Sequence, residues 1–471
     1  MADPVLEALT AACPASRAGS PGDAVAGVTP RFAASPASVA EASALLHAAT
    51  EHDLAVVARG SGSKLGWGAP PRRCDLVVDT LRLDQVLEHA AGDLVARVQA
   101  GVSLRRLGEV LDRAGQQLAL DVAPGLSGPD GAAPGVAAGD GSAPGGGTVG
   151  GTLATGAAGP RRLRYGTPRD LVIGITVIRA DGTVAHSGGK VVKNVAGYDL
   201  GRLFTGSFGT LGLIVEAVFR LHPRPAASAY VTLDCADPAG AHRAVAAAAA
   251  SVLAPSAIEI DRPARGRPVT VGVLLEGGAE GVSERAALMC GLLGAGAVTR
   301  PDAPAWWGWR GNAAGDADGP GGPGWPGAAG TLIRVAFWAA ALSRVLGVID
   351  AAAQSAGLDP AVGGSAAAGV IYVAPGADAS PAAVAAFVSA LRAALARGEA
   401  DARLAAAAVN GAEQNAGPPV LASAVVVHAP AAVRDLVDLW GPVPSLPLMR
   451  AVKDQFDPGH RMAPGRFAGG I

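Results

Sequence analysis

Large side chains are scarce in this sequence. Aromatic residues make up 4% of the 471 positions although 50% count as hydrophobic, so alanine supplies much of the apolar content and that content overstates core quality. The four cysteines, Cys13, Cys74, Cys235 and Cys290, lie far apart without a C-x-x-C pair, which excludes a zinc ribbon or an iron–sulfur cluster held by this chain alone. Neither sign of charge dominates. A net charge of -2 with 17% charged residues leaves no basic surface for nucleic acid and no charged tail. The longest apolar run, Ala244 to Pro255, carries Ser251 and stops short of the roughly 18 residues a membrane-spanning helix needs. The N-terminal stretch opens with an acidic residue instead of the basic segment of a secretion signal. These absences predict a cytoplasmic protein with no transmembrane segment of its own, reaching the inner face of a membrane only through partners.

Lysine is the rarest cation after histidine is set aside: four lysines, Lys64, Lys190, Lys193 and Lys453, stand against 34 arginines. Three lie in or beside glycine-rich segments and the fourth in "VKDQFDPGHRMAPGRF". A compact ammonium and a forked guanidinium are not interchangeable, so each lysine is either kept for its geometry or present by chance.

Along the chain, Ser38 with Glu41 forms a capping-box pattern, followed by Val39, Ala42, Leu45, Leu46 and Ala49 on one helical face. A strand at Leu54 to Ala58 runs into "RGSGSKLGWGAPP", Arg59 to Pro71. Gly66, Gly68, Pro70 and Pro71 forbid the helix that a dinucleotide-binding G-x-G-x-x-G turn must open. Lys64 lacks the preceding glycine and following hydroxyl of a P-loop. What remains is a strand ending in a nest of backbone N–H groups able to wrap a pyrophosphate, or an ordinary flexible turn. Strands follow at Asp75 to Asp79 and around Leu94 to Ala100, then a helix from Leu104 to Ala114, capped by Ser103 and closed by Gly115.

Residues 125–147 have no periodicity and read as a disordered insertion, and 311–330 as a second loop rich in glycine and proline. Between them stand "TVGGTLATGAAG" (Thr148 to Gly159), a strand from Asp170 to Arg179, an Asp181-Gly182 hairpin turn, and "VVKNVAGYDLGRLFTGSFGTLGLIVEAVFRL". In its closing strand Leu213, Val215, Ala217, Phe219 and Leu221 alternate with Ile214, Glu216, Val218 and Arg220. The tryptophans Trp306, Trp307 and Trp309 are candidates for core packing or a partner contact.

Three glycine-rich segments, 59–68, 148–159 and 197–212, thus each adjoin a predicted strand. In that order, "RGSGSK", "GGTVGGTLATGAAG", "YGTPRDLVIGITVIRADG" and "KVVKNVAGYDLGRLFTGSFGTLGLI" resemble the FAD-binding proteins of the vanillyl-alcohol oxidase / p-cresol methylhydroxylase (PCMH-type) superfamily, most nearly the smaller FAD-binding subunit of bacterial glycolate oxidase. The ending "FDPGHRMAPGRF" resembles the family's F-D-P-x-G-x-x-N-P-G-R, with Ala463 in the place of asparagine and Gly459 shifted by one.

The resemblance implies an α+β fold: an N-terminal extension (1–29), a PCMH-type FAD-binding domain of two α+β subdomains (30–225) and a smaller α/β cap-like C-terminal domain (226–471). It further implies that Arg59, Gly60, Ser61, Gly62 and Ser63 hold the pyrophosphate. Thr148, Gly150, Gly151, Thr152, Ala154 and Thr155 would approach the isoalloxazine and ribityl region, with Gly206, Gly209 and Ile214 as backbone contacts and Lys193 as a nearby cation. Asn194, Tyr198 and Asp199 belong either to the ligand site or to a capped helix start. With no histidine between Arg59 and Gly68, FAD is expected to be non-covalent.

Phe208 replaces the glutamate of the catalytic relatives' G-S-E-G-T-L-G turn, and His428 and His460 stand alone where those relatives cluster metal-binding histidines. No metal site is expected and no catalytic base is assigned. The implied role is the FAD-binding subunit of a glycolate oxidase-like complex that oxidises a 2-hydroxy acid by hydride transfer to flavin. Its implied partners are a larger FAD-binding catalytic subunit and an iron–sulfur subunit. A stand-alone FAD-dependent alcohol or hydroxyacid dehydrogenase, and a scaffold that has lost FAD, are the other readings. Replacing Gly209 with valine is predicted to abolish FAD retention in a folded chain, because the side chain takes the space of the dinucleotide; full FAD occupancy in that variant, measured by absorbance, contradicts the assignment.

Overall fold

The structure, a computed structural model, describes residues 3–121, 147–190, 197–308, 330–376, 378–410 and 422–471. The two glycine-rich stretches expected as insertions, 125–147 and 311–330, lie almost wholly outside the described residues, as do Lys193, Asn194 and Trp309. The chain forms two compact units: Met1–Ala158 with Tyr165–Arg224 and Pro442–Ile471, and Gly159–Arg164 with Pro225–Gly441.

In the first unit a four-stranded sheet has the order Ser16–Ala18, Phe32–Ala34, Leu76–Asp79, Val56–Arg59. Its outer pair is antiparallel and the other two pairings are parallel. Residues 1–29 were expected as an extension, yet they build part of this unit. The helix Pro4–Ala12 buries Leu9 and leads to buried Cys13, in one cluster with Leu45, Leu46 and Val78. A three-residue edge strand and an alanine-rich helix carry too little hydrophobic periodicity to be read in advance. The helix Val39–Glu51 starts where expected, with Ser38 Oγ accepting from Glu41 N–H, but the Glu41 carboxylate accepts from Ala37 N–H at 2.9 Å, one residue before the cap.

A second sheet of the same unit runs Val86–Ala90, Val95–Gln99, Leu213–Arg220, Val172–Ile178, Val184–Gly188, antiparallel throughout. Ser103 caps the helix Leu104–Asp112, which buries Leu107 and Leu111 against it. The strict alternation expected for Leu213 to Leu221 fails at a bulge: Ile214 pairs with Val177 and Glu216 with Thr176, leaving Val215 as the extra residue. Leu213 and Val215 therefore join the cluster around Leu45, while Ile214, Ala217 and Phe219 join the one around Leu107 and Leu153. One strand so serves two cores.

The second unit centres on an eight-stranded sheet in the order Val298–Arg300, Ala227–Cys235, Val269–Gly277, Ala257–Arg262, Ala361–Gly364, Val370–Ala374, Leu332–Phe337, Ala422–His428. Its mixed helix-and-sheet composition is the expected one, with every pairing antiparallel. The helices Pro238–Ala250, Ala279–Leu293, Leu342–Ala356 and Pro381–Asn410 pack with it and each other. The C-terminal boundary departs from expectation, since Pro442–Ile471 leaves this unit for the first. Trp307 is buried with Ala257 and Leu274 and meets Tyr230 edge-on at 5.0 Å, which is core packing. A Cβ on Gly272 would come within 2.6 Å of the Trp306 ring and 2.9 Å of the Trp307 ring. Gly272→Val is expected to destabilise this unit by about 1–3 kcal/mol, read as a lower midpoint of its unfolding transition in denaturant with an unchanged first-unit transition.

Candidate functional site

The strand Val56–Arg59 delivers the chain to its first glycine-rich loop. Arg59 is 5% exposed, and its guanidinium donates to Asp79 Oδ2 (3.1 Å from Nε, 3.0 Å from Nη2) and to Asp23 Oδ1 at 3.2 Å. Asp23 is itself forked by Arg17 at 2.7 and 2.8 Å, and that guanidinium holds its carboxyl far below the usual range. The charge of Arg59 is thus spent inside the protein; what it leaves for a ligand is the loop it anchors. Beyond it, among the described residues, no protein acceptor takes the N–H groups of Gly60, Ser61, Gly62, Ser63 or Lys64. Gly62 has a φ of +78°, which turns successive amides toward one side.

The second segment lies directly against the first. A Cβ on Gly60 would fall 2.2 Å from Thr148 Oγ1, which caps the helix Val149–Thr155 by accepting from Gly151 N–H at 3.2 Å. Gly150 serves the sheet: its N–H donates to Ala100 O at 2.8 Å, and a Cβ there would meet the Ala100 side chain at 2.8 Å. Thr155 Oγ1 donates to Gly151 O at 2.8 Å, whereas Thr152 Oγ1 is buried with no hydrogen-bond partner.

The third segment closes on that helix. Gly206 N–H donates to Leu153 O and Phe208 N–H to Ala154 O, both at 2.8 Å. Gly206 and Gly209 have φ of +83° and +75° with nothing within 4 Å of where a Cβ would stand, so both face open space. Phe208, in the glutamate position of the resemblance, adopts φ +56° and is held by Phe467, 5.4 Å between ring centroids. Arg59 to Ser63, Thr148, Gly151, Ala154 and Thr155 line one cavity, which Phe208, Lys64 and Arg466 also line. Gly150, Thr152, Gly206, Gly209 and Ile214 are not among its lining residues; the Ile214 side chain is in the core. Asp199 Oδ1 accepts from Arg202 N–H and caps the helix Leu200–Phe204, while Tyr198 is 92% exposed.

Residues outside the expected site hold it together. Lys453 and Asp457 are fully buried. Lys453 Nζ donates to Asp457 Oδ2 at 2.6 Å, to Thr210 O at 2.7 Å and to Met462 O at 2.9 Å. Asp457 accepts in turn from Met462 N–H at 2.7 Å and Arg461 N–H at 3.1 Å. Burial pulls the Lys453 pKa down against the opposing pull of Asp457. The segment then bonds both sides of Val56, through Arg461 O and Ala463 N–H, and Arg466 Nη2 donates to Leu65 O at 2.9 Å and Trp67 O at 2.7 Å. Ala463 has φ +44°, a conformation asparagine enters more readily than alanine, which accounts for asparagine in the related motif. The sequence signals for this clip were the rarity of lysine and the "FDPGHRMAPGRF" ending.

The free amides of Gly60 to Lys64 and the buried Lys64 ammonium, on the wall of one cavity, fit the charged centre of a dinucleotide. Among the described residues no group of three or more histidine, cysteine, aspartate or glutamate side chains could hold a metal. No helix of the described residues is long and apolar enough to cross a membrane.

The "FAD binding domain" family matches residues 30–147 and 131–188. The chain carries an FAD-binding domain of that family, and FAD is its cofactor. An uncharacterised FAD-linked oxidoreductase of Mycobacterium tuberculosis is 36% identical over 49% of this chain and 46% of its own length. Glycolate oxidase subunit GlcD of Bacillus subtilis is 36% identical over 40% of this chain and 36% of its own, and subunit GlcE of Escherichia coli 36% identical over 37% and 44%. The chain thus matches less than half the length of these curated relatives. Among solved structures, an alkyldihydroxyacetonephosphate synthase superposes with a TM-score of 0.58 at 16% identity, covering 93% of this chain and 76% of the other, a likeness of fold.

Removing one member of a buried, multiply bonded ion pair strands the other. Asp457→Ala is expected to cost the first unit about 3–5 kcal/mol in denaturant unfolding, and the double variant Lys453→Met/Asp457→Ala less than Asp457→Ala alone.

Proposed function

We propose that this chain is an FAD-dependent oxidoreductase subunit acting on the CH–OH group of glycolate or a related 2-hydroxy acid, within a glycolate oxidase-like complex. The observation that carries the reading is the meeting of three glycine-rich segments on one cavity that offers unsatisfied main-chain donors. It is supported by relatives named as glycolate oxidase subunits, D-lactate dehydrogenase and D-2-hydroxyglutarate dehydrogenase. Bound flavin supplies the hydride acceptor. The first loop, Gly60 to Ser63, holds the pyrophosphate through its amides; hydrogen bonds to charged oxygens are each worth roughly 1.5–3 kcal/mol, more than the ~0.5–1 kcal/mol cost of a flexible glycine. Thr148, Gly151, Ala154 and Thr155, on the same cavity, face the flavin end.

No histidine or carboxylate lines the cavity among its described residues. Proton transfer from the substrate hydroxyl is therefore assigned to a larger catalytic partner, with an iron–sulfur partner relaying electrons. The protein works in the cytoplasm or, through those partners, on the inner face of the membrane.

Gently purified protein is expected to show a flavin spectrum, and acid precipitation to leave the flavin in solution because no histidine tethers it. Co-purification with neighbouring subunits followed by glycolate and D-lactate oxidation assays tests the rest. Oxidation that needs the partners supports the subunit role, turnover by the isolated chain replaces it with a stand-alone dehydrogenase, and a chain that takes up no FAD on titration removes the reading.

A further inference from the structure

Among the described residues, Lys64 is the one lysine on the cavity wall. It is 8% exposed and lines the same cavity as Gly60 to Ser63, Thr148 and Arg466. Among the described residues no carboxylate or carbonyl accepts from its ammonium; the contact recorded for it is the Trp67 ring, 5.9 Å from Nζ to centroid. The charged groups around it are otherwise engaged. Arg59 is tied to Asp79 and Asp23, and Arg466 donates to the carbonyls of Leu65 and Trp67. A Cβ on Gly147 would stand 3.0 Å from Nζ and 3.4 Å from Ser63 Oγ, so the ammonium sits beside the amide loop.

We propose that Lys64 is the cation that neutralises the pyrophosphate of FAD and makes the site select a dinucleotide over riboflavin. The proposal rests on the FAD reading above. A nine-tenths-buried ammonium without an anion is costly, since it has given up water and gained nothing of opposite charge. A bound pyrophosphate supplies the missing charge at a point where protein and Trp67 keep water away. Backbone amides hold the oxygens by direction, and Lys64 answers their net charge. Arginine, with its planar fork, fits the gap at Gly147 less well than the compact ammonium, which is a reason for lysine here in a chain that otherwise uses arginine.

Burial pushes the Lys64 pKa down to about 8. The sign of the linkage follows. Pyrophosphate binds the charged form and raises its pKa, so FAD affinity is constant below about pH 8 and falls as pH rises beyond it.

The test is FAD titration of the full-length chain stripped of flavin, for wild type, Lys64→Met and Lys64→Arg, at several pH values between about 6.5 and 9.5, with ADP and riboflavin as competitors. Lys64→Met is expected to weaken FAD and ADP about 10- to 100-fold, to leave riboflavin unchanged and to abolish the fall of affinity above about pH 8. Lys64→Arg is expected to recover part of the affinity. The melting temperature of flavin-free Lys64→Met should equal or exceed that of wild type, because methionine gives up no charge solvation on burial; this separates lost binding from lost folding. Unchanged FAD affinity and an unchanged pH profile in Lys64→Met overturn the role of Lys64 alone. A wild-type chain that takes up no FAD overturns the underlying reading and this proposal with it.

Discussion

The buried pair of Lys453 and Asp457 is the constraint on which the first unit depends. Its three ammonium donors are all used, one on the carboxylate and two on carbonyls of Thr210 and Met462. Thr210 lies in the third glycine-rich segment, and the residues after Met462 bond Val56 and the carbonyls of the first loop. One ion pair therefore fixes the distance between two loops that are about 150 residues apart in sequence. Buried pairs contribute little net stability against well-packed apolar groups. Their strength is in geometry, because each partner tolerates few positions for the other.

Around that clip the charged side chains on the described cavity wall are held by protein partners, with Lys64 as the exception. Arg59 is paired with Asp79 and Asp23, Lys453 with Asp457, and Arg466 donates to backbone carbonyls. The amides after Arg59 and the ammonium of Lys64 are left over, and all carry positive charge or polarity. The electrostatics of the site thus come from what the fold declines to pair, while arginines that look like ligand contacts act as struts.

Much of this was readable in the chain itself. Helix starts at Ser38 and Ser103, the Asp181-Gly182 hairpin and the three glycine-rich segments follow local rules of capping and backbone freedom, which act over four or five residues. The rest depends on contacts that no short window contains. The bulge at Val215 is set by two cores on opposite faces of one strand, and the first strand, Ser16–Ala18, is three residues long and defined by its neighbour. Gly150 and Gly60 look alike in sequence, but one approaches Ala100 in the sheet and the other Thr148 at the cavity. Lys64 and Lys453 stood out as survivors of a bias toward arginine within two unusual segments, but their opposite fates, one unpaired and one fully bonded, were not visible there: the partners of Lys453 stand 4, 9 and 243 positions away.

The return of Pro442–Ile471 to the first unit makes that unit discontinuous, with the eight-stranded sheet encoded in the interval. A ribosome releases the amide loops long before it releases the strap that sets their spacing. Coenzyme capture is accordingly a late event in the life of each molecule, and any nascent chain interrupted within the second unit carries the glycine-rich segments without the means to hold them in register.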